Sequence, residues 1–359
     1  MTIINGYNIK PNAKLVRARL INADLTRAKL KKANLTMANL TGANLSEANL
    51  SEANLSGAKL IDAIMDNINL SKTILTDANL TNANLFKATL FRADLTDAIM
   101  ININLTNSKL VRANLTNANL TDAILSEADL HFANLTNAKL LRATLTEAKM
   151  FNTNLTNANF IKANLTGVDL TNANLTGADL TNANLTGADL TNTNLTNCTL
   201  TNCILTNVNL TNANLTNCTL TNCILIDVDL TKANLTGAKL SNCTLTNIIL
   251  LRATLIRTDL IKCHLTGGDL TEADLTSADL TEADLNDVTF INANLMNALM
   301  IGTNLTTIDL TNANLYNVNL SASHLIDIEL ANAILINTDF RGSTLNQIKN
   351  ANWIGSILY

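Results

Sequence analysis

The sequence predicts an all-β solenoid, in which short extended segments coil and stack on one another, and three observations carry that prediction. From Leu15 to Leu345 every fifth residue is Leu, Met or Phe without a break, 67 consecutive pentads of which 60 carry Leu. Two residues before each of these lies Ala in 41 of the 67 pentads, and Cys, Val, Ile, Thr, Ser or Gly in the others, never a charge. Val or Ile takes that Ala site at Ile68, Val168, Val208, Val228, Ile248, Val288, Ile308 and Ile328, all separated by multiples of twenty, with Ile103 and Val318 outside this column.

The spacing of two between the Ala and Leu sites puts both side chains on one face of an extended segment, so both point inward. A strict period of five sweeps around a helix without leaving an apolar stripe, which excludes helix despite the abundance of Ala and Leu. One extended segment cannot bury its own apolar face, so successive pentads coil and stack. The twenty-residue recurrence of Val and Ile sets four pentads to a coil; Thr171 to Leu190 is one such coil, a ten-residue phrase written twice.

Composition agrees, since 47% of the 359 residues are apolar and only 3% aromatic, which leaves a core of Leu and Ala. Sixty-seven pentads make nearly seventeen coils and a rod of about 80 Å at roughly 4.8 Å per coil. The expected organisation is an N-terminal cap at 1–12, the repeat at 13–347, and a cap or dimerisation segment at 348–359.

The five-residue phrases AlaAsnLeuThrGly at Ala173 to Gly177 and AlaAspLeuThrAsn at Ala178 to Asn182 resemble the motif of the pentapeptide-repeat proteins, and the resemblance runs from about Ala13 to Leu345. It implies a right-handed parallel β-helix of square, quadrilateral cross-section with the central Leu and preceding Ala inside. It implies no single function. Some quinolone-resistance members resemble duplex DNA, bind DNA gyrase and dimerise through their C-terminal ends.

No nucleophile with a base, no phosphate-cradling Gly loop and no paired-carboxylate site is visible, so an enzyme is not expected, nor any cofactor or metal. All six cysteines occupy the inward Ala site; Cys203, Cys223, Cys243 and Cys263 share one column and Cys198 and Cys218 another. Stacked parallel side chains do not form a tetrahedral metal site, and coil spacing exceeds the usual disulfide separation, so they read as buried free thiols. His131, His264 and His324 are too far apart for a ligand cluster. With no signal peptide and no long apolar run, a soluble cytoplasmic protein is expected.

Departures from the repeat supply the candidate sites. Phe91, Val111, His131 and Phe151 form an outward column, flanked by Arg92, Arg112 and Phe132, with Phe86 one pentad away. Clustered aromatics and Arg are what interface centres use. The alternative is that these rings simply pack along the solenoid surface. A basic strip at Lys32, Lys72, Arg92 and Arg112 is interrupted by Glu52 and reads as a solvated face, so no direct nucleic-acid partner is expected.

The net charge of −4 hides an asymmetry, +5 over residues 1–150 (17 bases, 12 acids) and −9 over 151–359 (8 bases, 17 acids). An acidic patch falls at Asp269, Glu272, Asp274, Asp279, Glu282, Asp284 and Asp287, and Asp169, Asp189, Asp229, Asp269, Asp309 and Glu329 align at twenty-residue spacing with gaps. From Asp169 to Glu329 the net charge is −11, from 16 acids and 5 bases. Duplex DNA of that length would carry about 22 charges, twice as many.

At the C-terminus Trp353, Ile354, Ile357, Leu358 and Tyr359 suit an end cap or a homodimer contact, and the two are compatible. An outward Thr/Ser column from Thr36 to Thr236 resembles an ice-binding ladder. The leading expectation is a non-enzymatic, rod-like scaffold that binds a macromolecular partner, a protein rather than a membrane or nucleic acid, through a lateral face. A DNA-mimicking binder of a type II topoisomerase (gyrase) is the alternative, and an ice-binding protein the minor one.

Overall fold

A computed structural model describes residues 2–358. The chain forms two compact units, Met1–Asp179 and Leu180–Tyr359, and both are built by the same rule. The described residues contain no helix. In each unit the chain advances by parallel β-bridges between residue i and residue i+20, as in Lys14↔Asn34, Arg19↔Asn39, Asp24↔Asn44 and Lys29↔Asn49 in the first unit, and Asn184↔Ile204 and Asp189↔Asn209 in the second. Each twenty-residue turn is thus held at four bridge columns.

The hydrogen bonds of one pentad explain its composition, because four of its five backbone N–H groups have a designated backbone acceptor. The pentad at Leu110 to Asn114 illustrates the rule. The Leu110 N–H donates to the Asp129 carbonyl one coil on (2.6 Å), that of Arg112 to the His131 carbonyl (2.9 Å), and that of Asn114 back to the Ala93 carbonyl (2.9 Å). The Ala113 N–H closes a turn onto the Leu110 carbonyl at 2.9 Å.

The remaining donor, at the first turn residue, goes to the Asx side chain two residues earlier: the Thr116 N–H donates to Asn114 Oδ1 at 3.2 Å, and the Thr116 hydroxyl to the same oxygen at 2.6 Å. Asn or Asp before the Leu and Thr or Ser after it are therefore a local turn device. The second turn residue has φ near +57°, as at Arg112 and Asn117. This left-handed region suits Gly and Asn, and nine of the twelve glycines stand at that position.

The interior is a stack of Leu and Ala sites that are essentially fully buried, with Phe160 in the first unit and Phe290 and Phe340 in the second taking Leu positions. Polar residues at the inward Ala site are satisfied by carbonyls: Thr73 donates to Leu50 O at 2.9 Å and Ser108 to Leu105 O at 2.6 Å. The cysteines do the same, Cys223 Sγ lying 2.7 Å from Leu200 O and Cys263 Sγ 2.9 Å from Leu240 O. All six are free thiols, and neighbouring thiols together with burial push Cys223 and Cys263 above the usual range.

At the start of the first unit, β1 (Thr2–Ile4) and β2 (Tyr7–Ile9) form an antiparallel hairpin through Asn5 and Gly6, both with positive φ. The Tyr7 hydroxyl accepts the Arg19 N–H at 3.2 Å, covering one exposed edge donor of the first coil. Near the end of the second unit the bridges lengthen into three parallel strands, β3 (Asn304–Asp309), β4 (His324–Glu329) and β5 (Thr344–Lys349), in the register Ile308↔Ile328↔Ile348. The chain then pairs Asp339 with Ile357, a step of eighteen residues in place of twenty, and Trp353 meets Phe340 edge-on at 5.3 Å.

Candidate functional site

The outward aromatic column lies wholly in the first unit, on successive turns. Phe91, Val111, His131 and Phe151 each occupy the half-buried first turn position, and Arg92, Arg112 and Phe132 occupy the exposed second position. Backbone bonds lock the stack together: the Lys72 N–H donates to Phe91 O (2.8 Å), Arg92 to Val111 O (3.1 Å) and Phe132 to Phe151 O (3.2 Å).

Side chains join four of the eight predicted residues into one cluster. Phe151 takes His131 edge-on at 5.7 Å and Phe132 edge-on at 5.8 Å, while the Arg112 guanidinium lies 5.5 Å from the Phe132 centroid. Phe91 and Phe86 stand apart from these rings, each beneath its own cation, Arg92 at 5.2 Å and Lys87 at 4.9 Å. His131 Nδ1 sits 3.0 Å from Asp129 Oδ1.

The left-handed backbone of Phe132 is the feature that the sequence reading missed. This residue has φ +59° and is the one aromatic among the described non-Gly residues in the left-handed region, which a bulky side chain occupies at a cost. The confinement of nine glycines to this pentad position was the signal that would have shown it. Phe132 also remains 47% exposed, so the strain is not compensated by full burial.

The acids at 269–287 are not brought together on one face. Asp269, Asp274, Asp279 and Asp284 lie in four different bridge columns, pairing with Thr289, Asn294, Leu299 and Asn304. Asp274 and Asp279 serve as Asx acceptors for Thr276 and Thr281. Glu272 meets Arg252 at 2.6 Å and Glu282 meets Lys262 at 3.4 Å, so both exposed glutamates are paired, whereas Asp287 is exposed with no ion pair among the described residues. Hydrogen bonding to Arg252 holds the Glu272 carboxyl below its usual range. The aligned acids of the second unit are interrupted by Asn209, Ile249 and Thr289.

At the C-terminal end Trp353 is half-buried on Phe340, Leu358 is half-buried, and Ile357 is 41% and Ile354 77% exposed. Ile354 borders a recess of about 210 Å³ with Ile334 and Ile336. Tyr359 lies outside the described residues. The basic strip is divided as its sequence suggested, with Lys32 3.4 Å from Glu52. Among the described residues no group of three or more His, Cys, Asp or Glu could hold a metal ion, and no helix is long and apolar enough to cross a membrane.

Comparison with known proteins places these features in a family. The family model described as Pentapeptide repeats matches residues 12–42 through 313–349 in overlapping copies, leaving only short stretches unmatched. Among solved structures the chain is similar to HetL, a pentapeptide repeat protein involved in heterocyst differentiation regulation from the cyanobacterium Nostoc sp. strain PCC 7120. Identity is 27%, covering 79% of this chain and 87% of that one, with a TM-score of 0.20. It is also similar to trypsin-treated QnrB1, a plasmid-mediated fluoroquinolone resistance protein, at 17% identity over 59% of this chain and 92% of that one with a TM-score of 0.32. Rfr23 from the cyanobacterium Cyanothece 51142 follows at 22% identity, 39% and 91% coverage, and a TM-score of 0.26. No curated protein matches.

Proposed function

Since this chain belongs to the pentapeptide-repeat family, we propose that it is a non-enzymatic interaction scaffold whose first unit presents the Phe91 to Phe151 face to a protein partner. Each unit is, in the same proposal, a right-handed coil of four sides, some seventeen coils in all, with caps at 1–12 and 348–359. A cytoplasmic setting and self-association through the Trp353 end belong to it as well.

The single observation that carries the function is Phe132. The repeat supplies Asn, Gly or a charged residue at the second turn position almost everywhere, and these tolerate or suit the left-handed conformation or at least stay in water. A half-exposed Phe there, edge-on to Phe151 and under Arg112, contributes little to packing and offers a desolvated centre to a partner. Substituting Phe91 and Phe151 with Ser tests the proposal. The double variant should fold as the parent does and lose a partner that a photo-crosslinker at Val111 captures from the parent. Capture undiminished by the substitutions would refute it.

The DNA-mimic alternative is disfavoured by the acids themselves, which encircle a coil of the second unit and are in part paired with bases. Gyrase supercoiling should accordingly be unaffected by the protein, and inhibition at submicromolar concentration would reverse the preference.

A further inference from the structure

Several cations at the second turn position meet an acid one coil away. Arg27 and Glu47 lie 2.8 Å apart, Arg142 and Asp122 2.6 Å, and Arg252 and Glu272 2.6 Å. The column through Lys72, Arg92 and Arg112 differs in placing cations next to one another. Three cations stack on successive coils with Phe132 as their next neighbour, and among the described residues neither Arg92 nor Arg112 has an ion pair. Like charges directly opposite one another across a ladder are destabilising. The column therefore holds repulsion that incoming carboxylates would relieve, and beside it run Phe91, Val111 and Phe151, with His131 between the last two.

We infer that this double column receives an acidic amphipathic helix from the partner, an inference that rests on the lateral-face proposal above. Spacing selects the helix. Successive coils are about 4.8 Å apart, and acids at i and i+4 of a helix are about 5–6 Å apart, whereas alternate residues of a strand are about 6.8 Å apart. Carboxylates at i and i+4 meet Arg92 and Arg112 together, and apolar residues on the adjoining stripe of the same helix meet Phe91 to Phe151. Those three coil steps span about 14 Å, or about ten helical residues at 1.5 Å each. A single strand of nucleic acid fits less well, because stacking needs open ring faces, and Phe86, Phe91 and Phe132 each already carry a cation over the ring.

The test uses the full chain and a fluorescein-labelled peptide of about 14 residues, helical and with Glu and Leu stripes side by side. A peptide of the same composition with Glu and Leu dispersed around the helix serves as control, and oligothymidylate as the nucleic-acid probe. Fluorescence anisotropy should show the striped peptide binding at least tenfold more tightly than the dispersed one and than oligothymidylate. Arg92→Glu with Arg112→Glu should lose that binding and gain a peptide in which Lys replaces Glu. Glu stands at the same turn position at Glu47 and Glu52, so the variant retains the fold. Equal binding of both peptides, tighter binding of oligothymidylate, or no binding of the striped peptide overturns the inference. If Val111 still captures a partner in cells that Phe91→Ser with Phe151→Ser abolishes, the lateral-face proposal survives that failure; loss of both results removes both.

Discussion

Replacing Phe132 with Asn separates strain from contact. The left-handed conformation at φ +59° costs an ordinary side chain about 1–2 kcal/mol, and Asn relieves most of that. Against this, the substitution removes the edge contact to Phe151, about 0.5–1.5 kcal/mol, and the Arg112 contact, about 0.5–1 kcal/mol at an exposed ring. The two sides nearly cancel, so Phe132→Asn should change local stability by less than about 1 kcal/mol while removing the centre of the proposed interface. With Phe151→Ser already present the aromatic contact is gone, and Phe132→Asn should then stabilise by about 1 kcal/mol. A solenoid opens locally, so the measurement is native-state hydrogen exchange at the amides of Leu130, Ala133 and Leu135, where about 1.4 kcal/mol reads as tenfold in protection. Destabilisation by more than about 2 kcal/mol in both backgrounds would refute the assignment of strain to this residue.

The other expectations concern the repeat itself. Asn134→Ala removes the acceptor of the Thr136 N–H and hydroxyl and the donor to Thr116 Oγ1, and should cost about 1–2 kcal/mol with loss of exchange protection at the Thr136 amide; unchanged protection would exclude the Asx device as its source. Cys223→Ser should be nearly neutral, because Ser323 and Ser343 already make the equivalent bond to the carbonyl 23 residues earlier, while Cys223→Ala should cost about 1 kcal/mol, both read by denaturant midpoint. The native thiols should resist a water-soluble thiol reagent until the chain unfolds, since all six are buried. Hydrogen bonds to Arg27, Lys31, Arg142, Arg252 and Arg341 hold the carboxyls of Glu47, Glu52, Asp122, Glu272 and Asp339 below their usual values. A depressed folded-state pKa adds stability above the unfolded value, about 4, and that stability is lost as pH falls through the folded values, so the thermal midpoint should fall on acidification below about pH 4.

The inward sites were legible because period five is incompatible with a helical stripe and spacing two defines one face, and those rules have no competitor in a chain without insertions. The twenty-residue coil followed from the Val and Ile column, seen directly in the register Ile308↔Ile328↔Ile348. The aromatic column was legible as an alignment, but its internal contacts were not. Whether Phe151 touches His131 and Phe132 depends on rotamers, which periodicity does not carry. The acids misled for a related reason: their density in the sequence between Asp269 and Asp287 reflects one circuit of a coil, so proximity along the chain scattered them over four columns. Proximity in a solenoid belongs to residues twenty apart. Applied to residues 272 and 282, that spacing finds Arg252 and Lys262.

Function should be sought where the pattern fails. In the first unit Thr116 donates to Asn114 Oδ1 at 2.6 Å and accepts from Asn134 Nδ2 at 2.9 Å; Thr136 and Thr156 repeat the arrangement with Asn134 and Asn154 as acceptors and Asn154 and Asn174 as donors. A hydroxyl engaged on both sides has little left to order water, which removes the physical basis for an ice-binding ladder there. The exposed asparagines behave alike, Asn117 giving its amide to Asp97 and Asn137 to Asn117. Capacity to bind something else remains at residues whose ladder partner is missing, and at Arg92 and Arg112 the missing partner is a carboxylate. An acid supplied from within should therefore compete with one supplied from outside. Phe132→Glu places a carboxylate one coil from Arg112, as Glu47 stands to Arg27, and should strengthen the local ladder while weakening the striped peptide at least tenfold; undiminished peptide binding would mean that the unpaired guanidinium is not what the partner recognises.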